Sequence, residues 1–69
     1  MIKRVVSVVM PSLNSGLFIE EAIISCLEQK ELLELIIMDG GSKEETISII
    51  KKFALIDKRI KFHIEQDNG

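Results

Sequence analysis

The first 27 residues of the chain change from one spacing of apolar residues to another. Residues 5–10 are apolar at nearly every position and rich in valine, which is typical of a β-strand. Pro11 is expected to end this strand, because proline cannot donate a ladder hydrogen bond. From Leu17 onward the apolar residues follow helical spacing: Ile19, Ala22, Ile23, Cys26 and Leu27. A strand followed by an amphipathic helix is therefore predicted.

The same alternation recurs in the rest of the sequence. Residues 33–38 form a second apolar run, a predicted strand, which a turn with two glycines ends. Ser42, with Glu45 three residues later, has the spacing of a capping box, so a second helix is predicted to begin at Lys43. Residues 59–65 alternate apolar and polar side chains, as a half-exposed third strand does. The predicted order of elements is β-α-β-α-β.

This order of elements predicts an α/β fold with parallel strands. Right-handed crossovers that run in one direction give the strand order 3-2-1 and place both helices on the same face of the sheet. The first strand then lies at an edge of the sheet, although residues 5–10 have the composition of a central strand.

The strands carry more apolar surface than two helices can cover. Residues 5–10 and 33–38 lack alternation, which is typical of strands covered on both faces, whereas the two predicted helices cover only one. We therefore expect the 69 residues to be part of a larger domain. The alternative is a homo-oligomer that forms through the bare sheet face or the edge of the first strand. Val8→Lys and Ile37→Lys are expected to disrupt such an assembly.

Composition excludes several classes of protein. The net charge of −2 provides no basic field for nucleic acid. Cys26 is the single cysteine, so no internal disulfide can form, and it falls on the apolar stripe of the first helix. No apolar run approaches the roughly 20 residues of a membrane-spanning helix, so no transmembrane segment is expected. A cytoplasmic location is predicted, and for a full-length protein the inner membrane surface is a second option.

Functional residues of an open parallel sheet lie at the carboxyl ends of its strands. In this sequence, residues 11–14, 39–42 and 66–69 occupy those places. Neither the dinucleotide-binding pattern G-x-G-x-x-G nor the P-loop pattern follows the first strand. The diphosphate of a bound nucleotide would therefore need neutralising charge from elsewhere, most plainly from a metal ion.

Three motifs in register resemble family 2 glycosyltransferases. Residues 5–14, V-V-S-V-V-M-P-S-L-N, resemble the family's opening strand, S-[IV]-[IV]-x-P-[ST]-[YFL]-N. Residues 20–29 resemble its first helix, and residues 34–42 resemble its second strand and D-[DG]-G-S turn. The D-G-G-S of residues 39–42, together with the E-x-D-x-G of residues 65–69, resembles a subgroup that acts in bacterial surface polysaccharide assembly. Correct spacing extends over nearly the whole chain.

The resemblance implies a fold and a binding site. Residues 1–69 would be the incomplete N-terminal part of one Rossmann-like GT-A nucleotide-sugar-binding domain. Its nucleotide-binding positions in this sequence are Pro11, Ser12, Leu13, Asn14, Asp39 and Asp67.

Each position has an implied role. Residues 11–13 would offer backbone groups to uracil, and Asn14 would shape the turn. Asp39 would accept the N3–H of uracil in a charge-assisted hydrogen bond. Asp67 would approach the ribose or the sugar, and Gly40 stands where many members of the family have a second aspartate.

The activity implied by the resemblance is sugar transfer, with inversion, from a UDP-type nucleotide donor to an acceptor hydroxyl. The family's metal-binding D-x-D motif and carboxylate base are expected beyond residue 69, so no catalytic or metal-ligating residue is assigned here. Mg or Mn is expected in the full-length enzyme, and the 69 residues alone are expected to be inactive. The alternative is a non-catalytic, nucleotide-binding or self-associating α/β module.

Plain structural roles stay open for several of these residues. Asp39 before two glycines can simply close a tight turn, and Ser42 is interpreted as a helix cap rather than a ligand contact. Residues 67–69 also read as an ordinary turn. His63 falls on the outward phase of the third strand, where a surface role is expected.

Overall fold

The computed structural model describes residues 5–65. It contains five elements in the order that the sequence predicts, namely β1 (Val6–Ser12), α1 (Leu17–Leu27), β2 (Leu32–Asp39), α2 (Glu44–Ile56) and β3 (Ile60–Ile64). Among these residues, no helix is both long enough and apolar enough to cross a bilayer.

The three strands form one parallel sheet with β2 in the middle, which confirms the predicted order. Ser12 lies opposite Asp39, and Asp39 lies opposite Ile64. The carboxyl ends of all three strands are therefore level. The predicted α/β class with parallel strands is confirmed.

Strand β1 is longer than predicted, because it continues through Pro11 to Ser12. The carbonyl of Ser12 accepts a hydrogen bond from the N–H of Gly40, so it faces β2. Alternation along the strand then turns the nitrogen of Pro11 towards the other side, which is an open edge within the described part of the chain. A proline at an open edge removes no ladder hydrogen bond, and the prediction that Pro11 ends the strand is wrong.

The core lies between the two helices and one face of the sheet. Its buried members are Ile19, Ile23, Leu32, Leu35, Ile37, Ile50 and Ile60. Helix α1 supplies Ile19 and Ile23 from its predicted apolar stripe, and Cys26 packs against the same cluster. Both helices therefore cover the same face, as right-handed crossovers require.

The start of α2 differs from the prediction. The helix begins at Glu44, Lys43 occupies its N-cap position, and no side chain caps it locally. The hydroxyl of Ser42 instead donates to Asp39. The backbone N–H of Lys43 donates to Oδ1 of Asn14, at 2.7 Å. The predicted capping box is wrong, because Asn14, from the loop after β1, accepts the hydrogen bond at the start of the helix.

Arg59 joins the end of α1 to the start of β3. Its Nη2 donates to the carbonyl of Leu27, the last residue of α1, at 3.1 Å. Asp57 holds the guanidinium with a bond to Nε at 3.0 Å and a bond to Nη2 at 2.8 Å. These bonds from Arg59 lower the pKa of Asp57 below its ordinary value. The contacts of Arg59 thus hold α1 and β3 together at this end of the sheet.

One face of the sheet has no cover within residues 5–65, and we call it the uncovered face. Paired residues of parallel strands point to the same side. The uncovered face therefore consists of Ser7, Val9, Pro11, Glu34, Ile36, Met38, Lys61 and His63. Val9 and Met38 are 62% and 43% exposed. Glu34 accepts hydrogen bonds from Ser7 and Lys61 at one end of this face.

The alternation corrects one prediction and confirms another. Val8 and Ile37 lie on the side of the helices, and Ile37 is completely buried. Lysine at either position would therefore place a charge in the core rather than on the uncovered face. Those two substitutions would disturb folding, so they do not test assembly. His63 is exposed, as its phase in β3 predicts.

Candidate functional site

Two loops meet where β1 and β2 end side by side. We call residues 12–16 and 39–46, which comprise these two loops with the last residue of each strand and the first turn of α2, the loop edge. The carbonyl of Asp39 also accepts a hydrogen bond from the N–H of Glu65, at 2.9 Å, which brings the end of β3 to the same place. The loop edge is the carboxyl end of the sheet, where open α/β proteins bind their ligands.

Asp39 is the buried centre of the loop edge. Its Oδ2 accepts hydrogen bonds from the backbone N–H groups of Gly41 and Ser42, at 3.0 and 2.7 Å. Its Oδ1 accepts from the hydroxyl of Ser42. Aspartate often closes a turn in this way, by bonding to the backbone two and three residues later. The plain structural role that the sequence left open for Asp39 is thus present in the structure.

The environment of Asp39 acts on its pKa in two opposite directions. Burial alone would raise the pKa, because only 2% of the residue is exposed. The hydrogen bonds from the Ser42 hydroxyl and from the N–H groups of Ser42 and Gly41 outweigh burial, so the pKa of Asp39 is below its ordinary value. Asp39 is therefore a carboxylate at neutral pH.

The two glycines after Asp39 have different requirements. Gly41 has a φ of +104°, and a Cβ added there would lie 3.2 Å from the carbonyl oxygen of Glu65. Only glycine is comfortable at that position. A Cβ on Gly40 would meet nothing closer than 3.8 Å, from Leu13 Cδ1 and the Ser12 carbonyl. The position at which many family members have a second aspartate therefore has room for a side chain in this chain.

Hydrogen bonds connect the two loops directly. The N–H of Asn14 donates to Ser42 Oγ, and Oδ1 of Asn14 accepts from the N–H of Lys43, both at 2.7 Å. The N–H of Gly16 donates to Oγ1 of Thr46, in the first turn of α2, at 3.1 Å. Asn14 has a φ of +48°, a left-handed conformation that asparagine tolerates better than most residues. Asn14 therefore shapes its turn, as predicted, and also holds the start of α2.

Ser12 retains unused hydrogen-bonding capacity. The residue is 5% exposed, and within the described part of the chain its Oγ has no hydrogen-bond partner of ordinary geometry. It nevertheless lies close enough to Asp39, its neighbour across the sheet, to help lower the pKa of that carboxyl. A buried hydroxyl without a partner is costly, so a group able to bond to it would stabilise the site.

The predicted binding residues do not all share one surface. Ser12, Leu13, Asn14 and Asp39 meet at the loop edge. Pro11 is adjacent in sequence, but it pairs with Met38 on the uncovered face. Asp67 lies outside the described residues, as does the turn predicted for residues 67–69. Nucleotide binding by these residues stays a prediction.

The sequence placed Gly41 and Ser42 at this edge of the sheet, but neither they nor Thr46 were among the predicted binding residues. Ser42 was interpreted as a helix cap, although its distance of three residues from Asp39 is also the spacing of an aspartate turn. Thr46 is buried, and its hydroxyl accepts a hydrogen bond from the other loop. Among residues 5–65, no three His, Cys, Asp or Glu side chains lie together in an arrangement that could hold a metal ion.

The fold and the site define an open α/β protein with a hydrogen-bonded polar cluster at the carboxyl edge of a parallel sheet. Comparison with known sequences then identifies the family. The model of "Glycosyl transferase family 2" matches residues 7–69. The chain belongs to glycosyl transferase family 2.

Several bacterial proteins are similar to this chain. An uncharacterized glycosyltransferase of Haemophilus influenzae is 36% identical over 64 residues, which is 91% of this chain and 26% of that protein. A putative teichuronic acid biosynthesis glycosyltransferase, TuaG, of Bacillus subtilis is 36% identical over 97% of this chain and 27% of its own length.

A third relative carries a more specific name. The GalNAc(5)-diNAcBac-PP-undecaprenol beta-1,3-glucosyltransferase of Campylobacter jejuni is 34% identical over 88% of this chain and 20% of its own length. The chain thus spans about a quarter or less of these three relatives. No solved structure matches the chain significantly.

Proposed function

We propose that this chain is the N-terminal part of the nucleotide-sugar-binding domain of an inverting glycosyltransferase with a UDP-type donor. Membership of the family supports sugar transfer as the reaction of the whole enzyme. The names of two relatives, in teichuronic acid biosynthesis and on an undecaprenol-linked substrate, support a role in cell-surface polysaccharide biosynthesis. We accordingly propose that the enzyme acts in the cytoplasm or at the inner membrane surface.

The observation that carries the proposal is the state of Asp39. A carboxylate has about four lone-pair positions, and three of those on Asp39 accept hydrogen bonds from Ser42 and Gly41. The remaining position, on Oδ1, can accept only from a donor. The N3–H of uracil is such a donor, and a bond to a charged acceptor is about twice as strong as a neutral one.

The low exposure of Asp39 sets a condition on binding. Because the residue is 2% exposed, a base reaches its carboxylate only when neighbouring side chains move aside. Leu13 is a suitable side chain to move, since it is 62% exposed and lies next to the open position at Gly40. The unpartnered hydroxyl of Ser12 offers the base a second polar contact.

The chemistry of transfer belongs to the longer enzyme. A carboxylate base would deprotonate the acceptor hydroxyl, and Mg or Mn would stabilise the leaving diphosphate. We place both the base and the metal-binding residues beyond residue 69. The chain alone should therefore show no sugar transfer and no donor hydrolysis when it is incubated with UDP-sugars and Mn²⁺.

Titration with UDP tests the binding role of Asp39. We expect weak binding by the wild type and weaker binding by Asp39→Asn, with a loss on the order of 1–3 kcal/mol. The asparagine amide can keep the turn, because its oxygen can accept from the backbone while its nitrogen donates to Ser42. Glu45→Gln, an exposed carboxylate on α2, is the matched control and should bind like the wild type. Equal affinities of the wild type and Asp39→Asn for UDP would show that Asp39 does not contact the nucleotide.

We also propose that the uncovered face mediates self-association of the 69-residue chain. Exposed Val9 and Met38 give this face an apolar patch, and the neighbouring edge of β1 has unpaired backbone groups within the described residues. Either feature suits a two-fold symmetric pair of copies. Sedimentation at micromolar concentration should show a dimer or a larger species, and a well-folded monomer would contradict the proposal.

A further inference from the structure

We propose that Ser42 is a positioning residue that makes Asp39 selective for ligands with a ring N–H donor. The bond from Asn14 N–H to Ser42 Oγ, together with the bond from Ser42 Oγ to Asp39 Oδ1, forms a relay that we call the Asn14–Ser42–Asp39 relay. The inference rests on the proposed function, in that the ligand is taken to be a nucleotide. It adds to that function a residue that determines which bases fit.

The direction of every proton in the relay is determined by chemistry. A backbone N–H can only donate, so Ser42 Oγ must accept from Asn14. The hydroxyl then directs its single proton to the other polar atom within reach, which is Oδ1 of Asp39. The N–H groups of Gly41 and Ser42 can also only donate, and both point at Oδ2. Asp39 is therefore surrounded by three donors.

This arrangement disfavours a protonated Asp39. A proton on Oδ2 would face the N–H groups of Gly41 and Ser42, which are themselves donors, and one of those two hydrogen bonds would be lost. A proton at the remaining position of Oδ1 would weaken that oxygen as an acceptor for the hydroxyl of Ser42. Ser42 and Asp39 are both buried, so water could not easily replace the lost bond. The lowered pKa of Asp39 agrees with this geometry, and apart from burial its causes are hydrogen bonds alone.

An acceptor-only carboxylate selects among bases by their ring nitrogen. Uracil, thymine and guanine present a ring N–H on the pairing edge, whereas cytosine and adenine present an unprotonated nitrogen. An unprotonated ring nitrogen against a carboxylate brings two acceptors together, with no proton between them. The exocyclic amine of cytosine or adenine could donate to the carboxylate only from a base shifted along its pairing edge. The site should therefore bind UDP more tightly than CDP, since the two nucleotides differ only in the base.

The relay also spans the two loops of the loop edge. Asn14 belongs to the loop after β1, and Ser42 belongs to the loop after β2, 28 residues later. The side chain of Asn14 strengthens this link through its bond to the N–H of Lys43. A ligand that approaches Asp39 thus meets a carboxylate whose orientation depends on both loops.

Two measurements on the wild type test the inference without any substitution. Carbon-detected NMR titration should find the pKa of Asp39 below that of an ordinary aspartate. Titration with nucleotides should find UDP preferred over CDP by about tenfold, the effect of one good hydrogen bond. An ordinary or raised pKa for Asp39 would overturn the relay, and equal affinities for UDP and CDP would overturn the selectivity.

Substitutions then test Ser42 itself. Ser42→Ala should raise the pKa of Asp39 towards its ordinary value and reduce the preference for UDP severalfold, whereas Ser42→Thr keeps the hydroxyl and should restore both. Ser48→Ala, on the exposed side of α2, is the matched control and should change neither quantity. A folded Ser42→Ala with an unchanged pKa for Asp39 contradicts the inference, and so does a folded Ser42→Thr that restores nothing.

Failure of the proposed function gives a different result. If the wild type binds neither UDP nor CDP, nucleotide binding by this chain is wrong, and the selectivity falls with it. The pKa of Asp39 in the wild type and in Ser42→Ala needs no ligand, so it still decides whether the relay positions the carboxylate.

Discussion

The loop edge and the uncovered face of this sheet differ in whether the described chain itself supplies contacts for their side chains. At the loop edge, Asp39 and Ser42 are polar and buried, and each has hydrogen-bond partners inside the chain. On the uncovered face, Val9 and Met38 are apolar and exposed, with nothing over them among residues 5–65. A polar cluster can be completed by a few neighbouring residues, whereas an apolar face needs a whole second layer.

This difference indicates that the site can be formed before the domain around it is covered. The side-chain hydrogen bonds of Asp39 come from Gly41 and Ser42, and Ser42 is bonded in turn by Asn14 from the loop after β1, so the first 46 residues contain all of these groups. The uncovered face has no comparable local solution. We therefore expect changes at the loop edge to affect binding, and changes on the uncovered face to affect assembly.

The largest expected effect separates the two faces of the sheet. Ile37→Lys places a charge at a completely buried position and should unfold the chain, at a cost of about 4 kcal/mol or more. Val9→Lys, on the uncovered face, should leave the fold intact and weaken self-association. Circular dichroism reports the folding of each variant, and sedimentation reports its assembly. If Val9→Lys unfolds the chain as Ile37→Lys does, the distinction between the two faces of the sheet is wrong.

A smaller effect separates the two glycines of the loop edge. Gly41→Ala should cost about 1–3 kcal/mol, because of its positive φ and the nearby Glu65 carbonyl. Gly40→Ala meets only ordinary contacts and should be neutral, or stabilising by up to about 1 kcal/mol. Urea unfolding of the two variants measures both changes. Equal losses would mean that the turn after Asp39 does not have the conformation described.

The smallest expected effect is on the stability of the chain at low pH. The pKa of Asp39 is lower in the folded chain than its ordinary value of 3.8, so its stabilisation is complete above about that pH. As the pH falls below 3.8 and through the folded value, this stabilisation should disappear. The free energy of unfolding should therefore fall more steeply with acid in the wild type than in Asp39→Asn, which has no carboxyl group there. Parallel pH profiles for the two proteins would contradict the bonding of Asp39.

Much of the fold could be predicted from the sequence, because its signals are local. The helical spacing of Ile19 and Ile23 identified the buried side of α1, and the apolar runs identified β1 and β2. Strand order followed from the handedness of the crossovers. The end of β1 could not be placed, because the side to which Pro11 turns its nitrogen depends on its neighbouring strand.

The candidate site was predictable in its residues but not in its contacts. Asp39 and Asn14 could be named from the family's motifs, yet the Asn14–Lys43 bond joins residues 29 apart, and no local pattern shows it. Ser42 followed three residues later by Glu45 fully matches the capping-box pattern. Only the approach of Asn14 and Asp39 in space gives the hydroxyl of Ser42 a different use.

A chemical-shift map with UDP tests the central claim most directly. The ¹⁵N-labelled wild-type chain, titrated with UDP, should show its shift changes at residues 12–14 and 39–42 of the loop edge. The amides of Val9, Ile36 and Met38 on the uncovered face should not move with the nucleotide. Changes centred on the uncovered face, or no changes with UDP at all, would contradict the assignment of nucleotide binding to the loop edge.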